Sequence, residues 1–397
     1  MPVSRRSFLK SASVGGVGAL TLPLIGARGS EASRELERFA GAELPAFVSE
    51  ARRALRLRVA DPVRLDSNEN PNGPGARVLE AVRAMFVESP RYPDVATVEL
   101  QAAIASHHHV APEQVLVGCG SGEVLRMAAY AFTGPQRALV TGAPSFEDPV
   151  RHAEMMNAEI RAVPVDARLA LDLDGMLARV RGAGLVFLCN PNNPTGTVHG
   201  ATAVREFITR VTRASRDCVV MVDEAYHEYV DDPAYASMLP EALQNPRLVV
   251  VRTFSKVYGM AGLRAGYAIG NPDVLRQMRR HRLPNSINVL ASAAAIATLP
   301  DAAHLERERD LNRLARDFTR QAFEGLGRTP ADSQANFLMV PIGRDSRAFR
   351  DVCARHGILV GRPFPPLTTH ARISIGTIDE MRRAADVFRQ VLSASAN

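Results

Sequence analysis

Thr253-Phe254-Ser255-Lys256-Val257-Tyr258-Gly259-Met260-Ala261-Gly262-Leu263-Arg264 follows directly on the apolar run Leu248 to Val251. Such a run reads as a buried strand, so Lys256 falls just past a strand's C-terminal end with two hydroxyls and an arginine close by in sequence. Lys10 and Lys256 are the only lysines in the chain; every other basic side chain is Arg or His. Guanidinium stays protonated, whereas a lysine amine can lose its proton in the right surroundings and form a Schiff base. A sequence that otherwise uses arginine, yet places a lysine here, points to a primary amine with a task.

Further apolar runs occur at Val115–Val117, Ala138–Thr141, Ile160–Val165, Leu185–Cys189, Val219–Val222 and Gly266–Ile269. Helical patterns separate most of them. Near-continuous apolar strands alternating with helices imply an α/β fold with a mostly parallel sheet covered on both faces. Before the first strand, Val78, Leu79, Val82, Met85 and Phe86 share one helical face. After Pro284 the texture changes to an Ala-rich helix, a charged helix from His304 to Phe323, shorter strands at Phe337–Val340, Ile358–Val360 and Arg372–Ile375, and a last helix from Asp379 to Leu392. The expected organisation is a leader over 1–29, an arm and part of a small domain over 30–75, a large domain over 76–285 and a smaller α+β domain over 286–397.

Ligands of parallel sheets gather beyond the carboxyl ends of the strands. Asn190-Pro191-Asn192-Asn193-Pro194-Thr195-Gly196 follows one strand, and Asp223-Glu224-Ala225-Tyr226 the next. Ser255-Lys256 follows a third. Gly118-Cys119-Gly120-Ser121-Gly122-Glu123 follows Val115–Val117 and precedes an apolar helix expected from Val124 to Phe132. A glycine-rich strand-to-helix turn offers backbone N–H groups to phosphate. An anion cradle, an amide, a carboxylate, a phenol and a lone lysine thus point to one rim. His107-His108-His109 resembles a metal cluster, but consecutive helical residues point in different directions, so these read as a polar helix end and no metal is expected.

In NPNNPTG, VDEAY, TFSK and GLRAGY, taken in that order, the chain resembles the fold-type I pyridoxal-phosphate enzymes of class I/II, nearest in pattern to histidinol-phosphate aminotransferases. The likeness runs from about Leu65 to the C-terminus. It implies that Lys256 carries the cofactor as a Schiff base and then moves protons, while Asp223 pairs with the pyridine nitrogen. Asn193 and Tyr226 would bond the ring's phenolic oxygen, and Phe146 would stack on the ring where many relatives have tyrosine. Gly120, Ser121 and Gly122 backbone groups, with Thr253, Ser255 and Arg264, would hold the phosphate. Tyr92 matches a tyrosine that reaches the partner subunit's phosphate, implying a homodimer. Arg372 matches the arginine that clamps the substrate carboxylate, and Asn68 and Arg362 fall where relatives line the side-chain pocket. The implied activity is amino transfer to an α-keto acid from a donor not fixed by the motifs. A decarboxylase or lyase on the same scaffold, or a non-catalytic cofactor binder, is the alternative.

Ser4-Arg5-Arg6-Ser7-Phe8-Leu9-Lys10 and the Gly-rich apolar run Ala12 to Gly26 read as a twin-arginine signal, with cleavage expected near Ala27-Arg28-Gly29 or near Ala32. The expected location is therefore periplasmic or secreted, reached in the folded state through the twin-arginine export machinery. Arg5, Arg6, Lys10 and Arg28 supply four of the formal +6 charges, which leaves the mature chain near +2 and without a basic block for nucleic acid. Cys119, Cys189, Cys218 and Cys353 lack CxxC spacing. Folding before export favours free thiols.

Overall fold

The computed structural model describes residues 62–393, so the signal segment and most of the arm lie outside the described residues. The strands are β1 (Val63–Leu65), β2 (Val115–Gly118), β3 (Ala138–Ala143), β4 (Ile160–Pro164), β5 (Ala183–Cys189) and β6 (Val219–Asp223), then β7 (Leu248–Thr253), β8 (Gly266–Gly270), β9 (Phe337–Pro341), β10 (Ile358–Val360) and β11 (His370–Ser374). Seven of them form one sheet in the order β2-β8-β7-β6-β5-β3-β4. Neighbours are parallel except β8, which runs antiparallel to both β2 and β7.

The continuous apolar runs have a simple cause. In β5, Leu185 and Phe187 join a core with the helices Gly120–Phe132 and Pro272–Arg279. Val186 and Leu188 point the other way, into a core with the helix Ala201–Ala214. Successive side chains alternate between faces, and both faces are covered, so no position along the strand can be polar. Each fully buried side chain of this kind contributes roughly 1.5–3 kcal/mol of transfer free energy.

A separate core joins the two ends of the described chain. Val63 and Leu65 of β1 pack with β9, β10 and β11 and with the helices Ser346–Arg355 and Ile378–Ser393. Strand β1 pairs in parallel with β10, Val63 opposite Ile358 and Leu65 opposite Val360, while Arg64 stays exposed. Strands β9 and β11 form an antiparallel pair. The described part of the arm before Gly75 is therefore built into the C-terminal layer by β1, a strand absent from the apolar runs read in the sequence.

Other expectations need correcting. The helix after β2 begins at Gly120, not Val124, so Gly120, Ser121 and Gly122 are its first turn rather than a loop before it. Phe86 leaves the helical face expected for it: the helix ends at Met85, and Phe86 in the following 3-10 turn is 52% exposed. His108 Nε2 lies 2.8 Å from the Tyr267 hydroxyl. As expected, all four cysteines are free thiols, and burial raises those of Cys189, Cys218 and Cys353 above the usual range.

Strand β8 meets the first helical turn at Gly266. A β-carbon there would fall 2.3 Å from the Ser121 backbone nitrogen and 2.6 Å from the Gly120 carbonyl carbon. Only backbone could yield. Gly266→Ala is expected to destabilise the cofactor-free protein by about 1–3 kcal/mol in chemical denaturation. Gly262→Ala, where nothing lies within 4 Å of the added carbon, should shift the midpoint little.

Candidate active site

Register brings the strand ends level. Asp223, the last residue of β6, stands opposite Cys189 of β5 and Val251 of β7. The Asn190 N–H donates to the Asp223 carbonyl at 2.9 Å, and the Glu224 N–H to the Val251 carbonyl at 2.9 Å. The segments carrying Asn193, Tyr226 and Lys256 therefore leave the sheet from three adjacent strand ends.

The antiparallel β8 builds the anion cradle. It sets Gly266 opposite both Gly118 and Thr253, so the residues just before it fall beside the helix start. Arg264, at φ +66 in the left-handed region, donates from Nη1 to Ser255 Oγ at 3.2 Å and to the Ala261 carbonyl at 3.1 Å. A β-carbon on Gly120 would lie 2.3 Å from Arg264 Nη2. Thr253 Oγ1 accepts the Ser255 N–H at 3.1 Å. First-turn N–H groups have no partner inside their own helix and carry the positive end of its dipole. Glu123, which the sequence reading missed, shapes this turn. Its buried carboxylate accepts the Cys119 N–H (2.6 Å), the Ser286 hydroxyl (2.6 Å) and the Leu283 N–H (2.9 Å). No local pattern announces such a role, because two of these partners come from beyond residue 280.

Lys256 and Asp223 are held in opposite states of discomfort. Burial lowers the lysine amine to about 8, helped by Arg372, with Asp223 opposing. Burial raises the Asp223 carboxyl to about 7, against the Ala225 N–H at 3.1 Å and the Lys256 charge. Desolvation thus outweighs mutual attraction for each. Lys256 Nζ donates to the Asn68 carbonyl at 3.3 Å and stands 5.4 Å from the Tyr226 ring centroid. The Tyr226 hydroxyl accepts from Asn68 Nδ2 at 3.1 Å, and burial raises the phenol's pKa.

A cavity of about 640 Å³ opens in front of the lysine, its wall including Asn68, Phe146, Asn193, Lys256, Arg362 and Arg372. Asp223, Tyr226 and the cradle residues are not part of that wall. Arg372 donates from Nη1 to Asn193 Oδ1 at 2.8 Å and from Nη2 to the Asp66 carbonyl at 2.6 Å, while its buried Nε has no partner. Burial lowers its pKa to about 10. Arg362 is paired with Glu147 at 2.7 Å and lies over the Phe364 ring at 4.3 Å. Tyr92 is not brought to the cavity; it is 80% exposed. Among the described residues no group of His, Cys, Asp or Glu is placed to hold a metal ion.

These residues fit pyridoxal phosphate. A desolvated carboxylate with one N–H partner suits a ring cation, an amine lowered toward neutrality suits imine chemistry, and a glycine turn against Arg264 suits a phosphate. A carboxyl whose folded pKa exceeds its unfolded value binds a proton that the unfolded chain releases. Stability contributed there is present below the unfolded carboxylate range and is lost as pH rises toward about 7. The cofactor-free protein should therefore lose thermal stability between about pH 4 and 7, and Asp223→Asn should flatten that slope in a melting-temperature series.

The family profile described as "Aminotransferase class I and II" matches residues 60–388. A histidinol-phosphate aminotransferase of Symbiobacterium thermophilum is 38% identical over 348 residues, 87% of this chain and 94% of that protein. Its counterpart in Akkermansia muciniphila is 36% identical over 346 residues, again covering 87% and 94%. The crystal structure of histidinol-phosphate aminotransferase from Sinorhizobium meliloti in complex with pyridoxal-5'-phosphate superposes with a TM-score of 0.78 at 26% identity, covering 96% of this chain and 99% of that one. With its fold-type I sheet and a site that fits the cofactor, the chain belongs to the class I and II aminotransferases and is a pyridoxal-phosphate-dependent aminotransferase.

Proposed function

We propose that this aminotransferase is an exported homodimer, carried folded by the twin-arginine route, that moves an amino group from an anionic amine to an α-keto acid. The observation that carries the substrate part is Arg372, a buried guanidinium that ion-pairs with no carboxylate among the described residues and opens into the same cavity as Lys256. The cofactor, when bound, supplies an electron sink for the carbanion formed at the amino-bearing carbon. Lys256 Nζ holds it covalently and afterwards carries the proton on and off that carbon. Asp223 would pair with the ring nitrogen, Asn193 and Tyr226 with the ring oxygen, and Phe146 would cover the ring face. Gly120, Ser121, Gly122, Thr253, Ser255 and Arg264 hold the phosphate. Arg372 orients the donor's anionic group, with Asn68 and Arg362 toward its side chain.

Exposed Phe86, Val87, Tyr92, Val95 and Val98 fall within one short stretch of chain, which supports burial of the Tyr92 region against a second subunit. The relatives named above act, by name, on histidinol phosphate, and a phosphate would also suit Arg372. Export removes this chain from cytoplasmic biosynthesis and favours an amino-acid donor instead.

Three experiments test the reading. Holoenzyme offered a panel of amino acids and histidinol phosphate with an α-keto acid should convert the acceptor to its amino acid, and release of CO₂ without amino transfer would overturn it. Borohydride should fix the cofactor to the peptide containing Lys256; Lys256→Ala should abolish label and turnover, and Arg372→Gln should raise KM roughly 10- to 100-fold, the loss of one charge-assisted contact. Replacing Arg5 and Arg6 by lysine should retain active holoenzyme in the cytoplasm when fractions are assayed. Export of the double variant, or an exported wild type lacking cofactor, would overturn the route.

A further inference from the structure

Among the described residues of the N-terminal arm, Asn68 touches the lysine, the phenol and the C-terminal layer at once. Its backbone lies at φ +54, and the residue is 1% exposed. Its N–H donates to Ser374 Oγ at 2.9 Å, and the Ser374 hydroxyl donates back to Asn68 Oδ1 at 2.8 Å. Asn68 Nδ2 then donates to the Tyr226 hydroxyl at 3.1 Å. Asn336 Nδ2 donates to the Asn68 carbonyl at 3.0 Å, fixing the backbone from the side of β9.

The direction of these bonds matters more than their number. An amide side chain can be turned end for end with little change in shape, exchanging a donor for an acceptor. Turned, Asn68 would present Oδ1 to Tyr226 and take up the phenol's hydrogen. It would also face its NH₂ to Ser374 Oγ, leaving the hydroxyl hydrogen of that buried serine without an acceptor. An orphaned buried donor is unfavourable, so Ser374 selects the orientation in which Tyr226 accepts from Asn68. A hydroxyl that accepts keeps its own hydrogen to give, and the phenol's hydrogen has no acceptor among the described residues. We propose that Ser374, acting through Asn68, is a positioning residue that holds Tyr226 as a hydrogen-bond donor toward the cofactor. Ser374 ends β11, the strand that also carries Arg372, so the element that receives the substrate's anion also sets the phenol's polarity.

The inference rests on the cofactor use of the family and on Tyr226 facing the cofactor's ring oxygen, not on the donor or the export route. Its first test is the titration of resting holoenzyme without substrate, with KM measured alongside. Donation to the ring oxygen stabilises its anion and lowers the pH at which the cofactor's absorbance band titrates. Ser374→Ala should raise that midpoint by about one pH unit, the equivalent of one ordinary hydrogen bond, and Ser374→Thr should restore it. Tyr226→Phe should raise it as well, and adding Ser374→Ala to Tyr226→Phe should produce no further shift. Ser374→Cys, a near-isosteric weak donor, should give a smaller shift of the same sign and serves if the alanine variant does not fold. An unchanged midpoint in Ser374→Ala, or an equal shift in the Tyr226→Phe background, would overturn the proposal. A change in KM alone would likewise overturn it, since a contact that only supports β11 would weaken anion binding at Arg372 and leave the cofactor's titration alone.

Discussion

Charge taken out of water without full compensation is the constraint around which this site is arranged. Lys256, Asp223 and Arg372 are each displaced toward their neutral forms by burial. Such groups are tolerated because the sheet beneath them is apolar on both faces and supplies the stability that the site withholds. The same displacement makes them useful. A lysine near neutrality is a nucleophile at ordinary pH, and a carboxylate short of partners binds a cation strongly.

Contrast with the next residue shows that the shortage is local. Glu224 follows Asp223 and is as deeply buried, yet Arg252 grips one of its oxygens with Nε at 3.1 Å and Nη2 at 2.9 Å. The Met238 N–H and the Ser237 hydroxyl, each at 2.7 Å, complete its shell. Burial alone would lower the Arg252 pKa, but Glu224 and its neighbours raise it above the ordinary arginine range. Removing either partner of such a pair typically costs about 3–5 kcal/mol, because the other charge is stranded. Adjacent carboxylates on alternate sides of one strand end therefore do different jobs: Glu224 joins β6 to β7 and the Ser237 segment, while Asp223 is left for a ligand.

Sequence made the sheet legible because its signal is local. Seven apolar runs became seven strands, and NPNNPTG, VDEAY and TFSK fell at the C-terminal ends of β5, β6 and β7 because parallel strands share one rim, while GLRAGY leads into the antiparallel β8. The cradle was legible in composition but not in geometry: glycines at 120 and 122 announced a turn, yet Gly266 and Glu123 contribute as much to its shape through contacts that no spacing reveals. Strand β1 has a BeB pattern over only three residues, too short for periodicity to register, and its partner lies almost three hundred positions away. Asn68 and Ser374 are separated by 306 residues. Phe86 and Tyr92 show the converse limit. Each carries an apolar signal that the single chain leaves in solvent.

The arginines of the cavity differ in what they face. Arg362 is paired with Glu147, Arg151 with Asp148 at 3.0 Å and Glu147 at 3.8 Å, and Arg350 with Asp351 at 3.4 Å. Arg372 alone among the lining arginines faces amide and carbonyl oxygens instead of a carboxylate. Both Arg362 and Arg372 lie against Phe364, at 4.3 and 4.8 Å from its ring centroid, so one aromatic ring supports a compensated and an uncompensated guanidinium. An entering anion can bind Arg372 by displacing neutral oxygens, but it can bind Arg362 only by displacing Glu147. The difference between a neutral and a charged competitor sets the order of preference. On the function proposed above, the anionic group that every substrate shares would therefore bind at Arg372, and discrimination among side chains would fall to the Glu147–Arg362 pair.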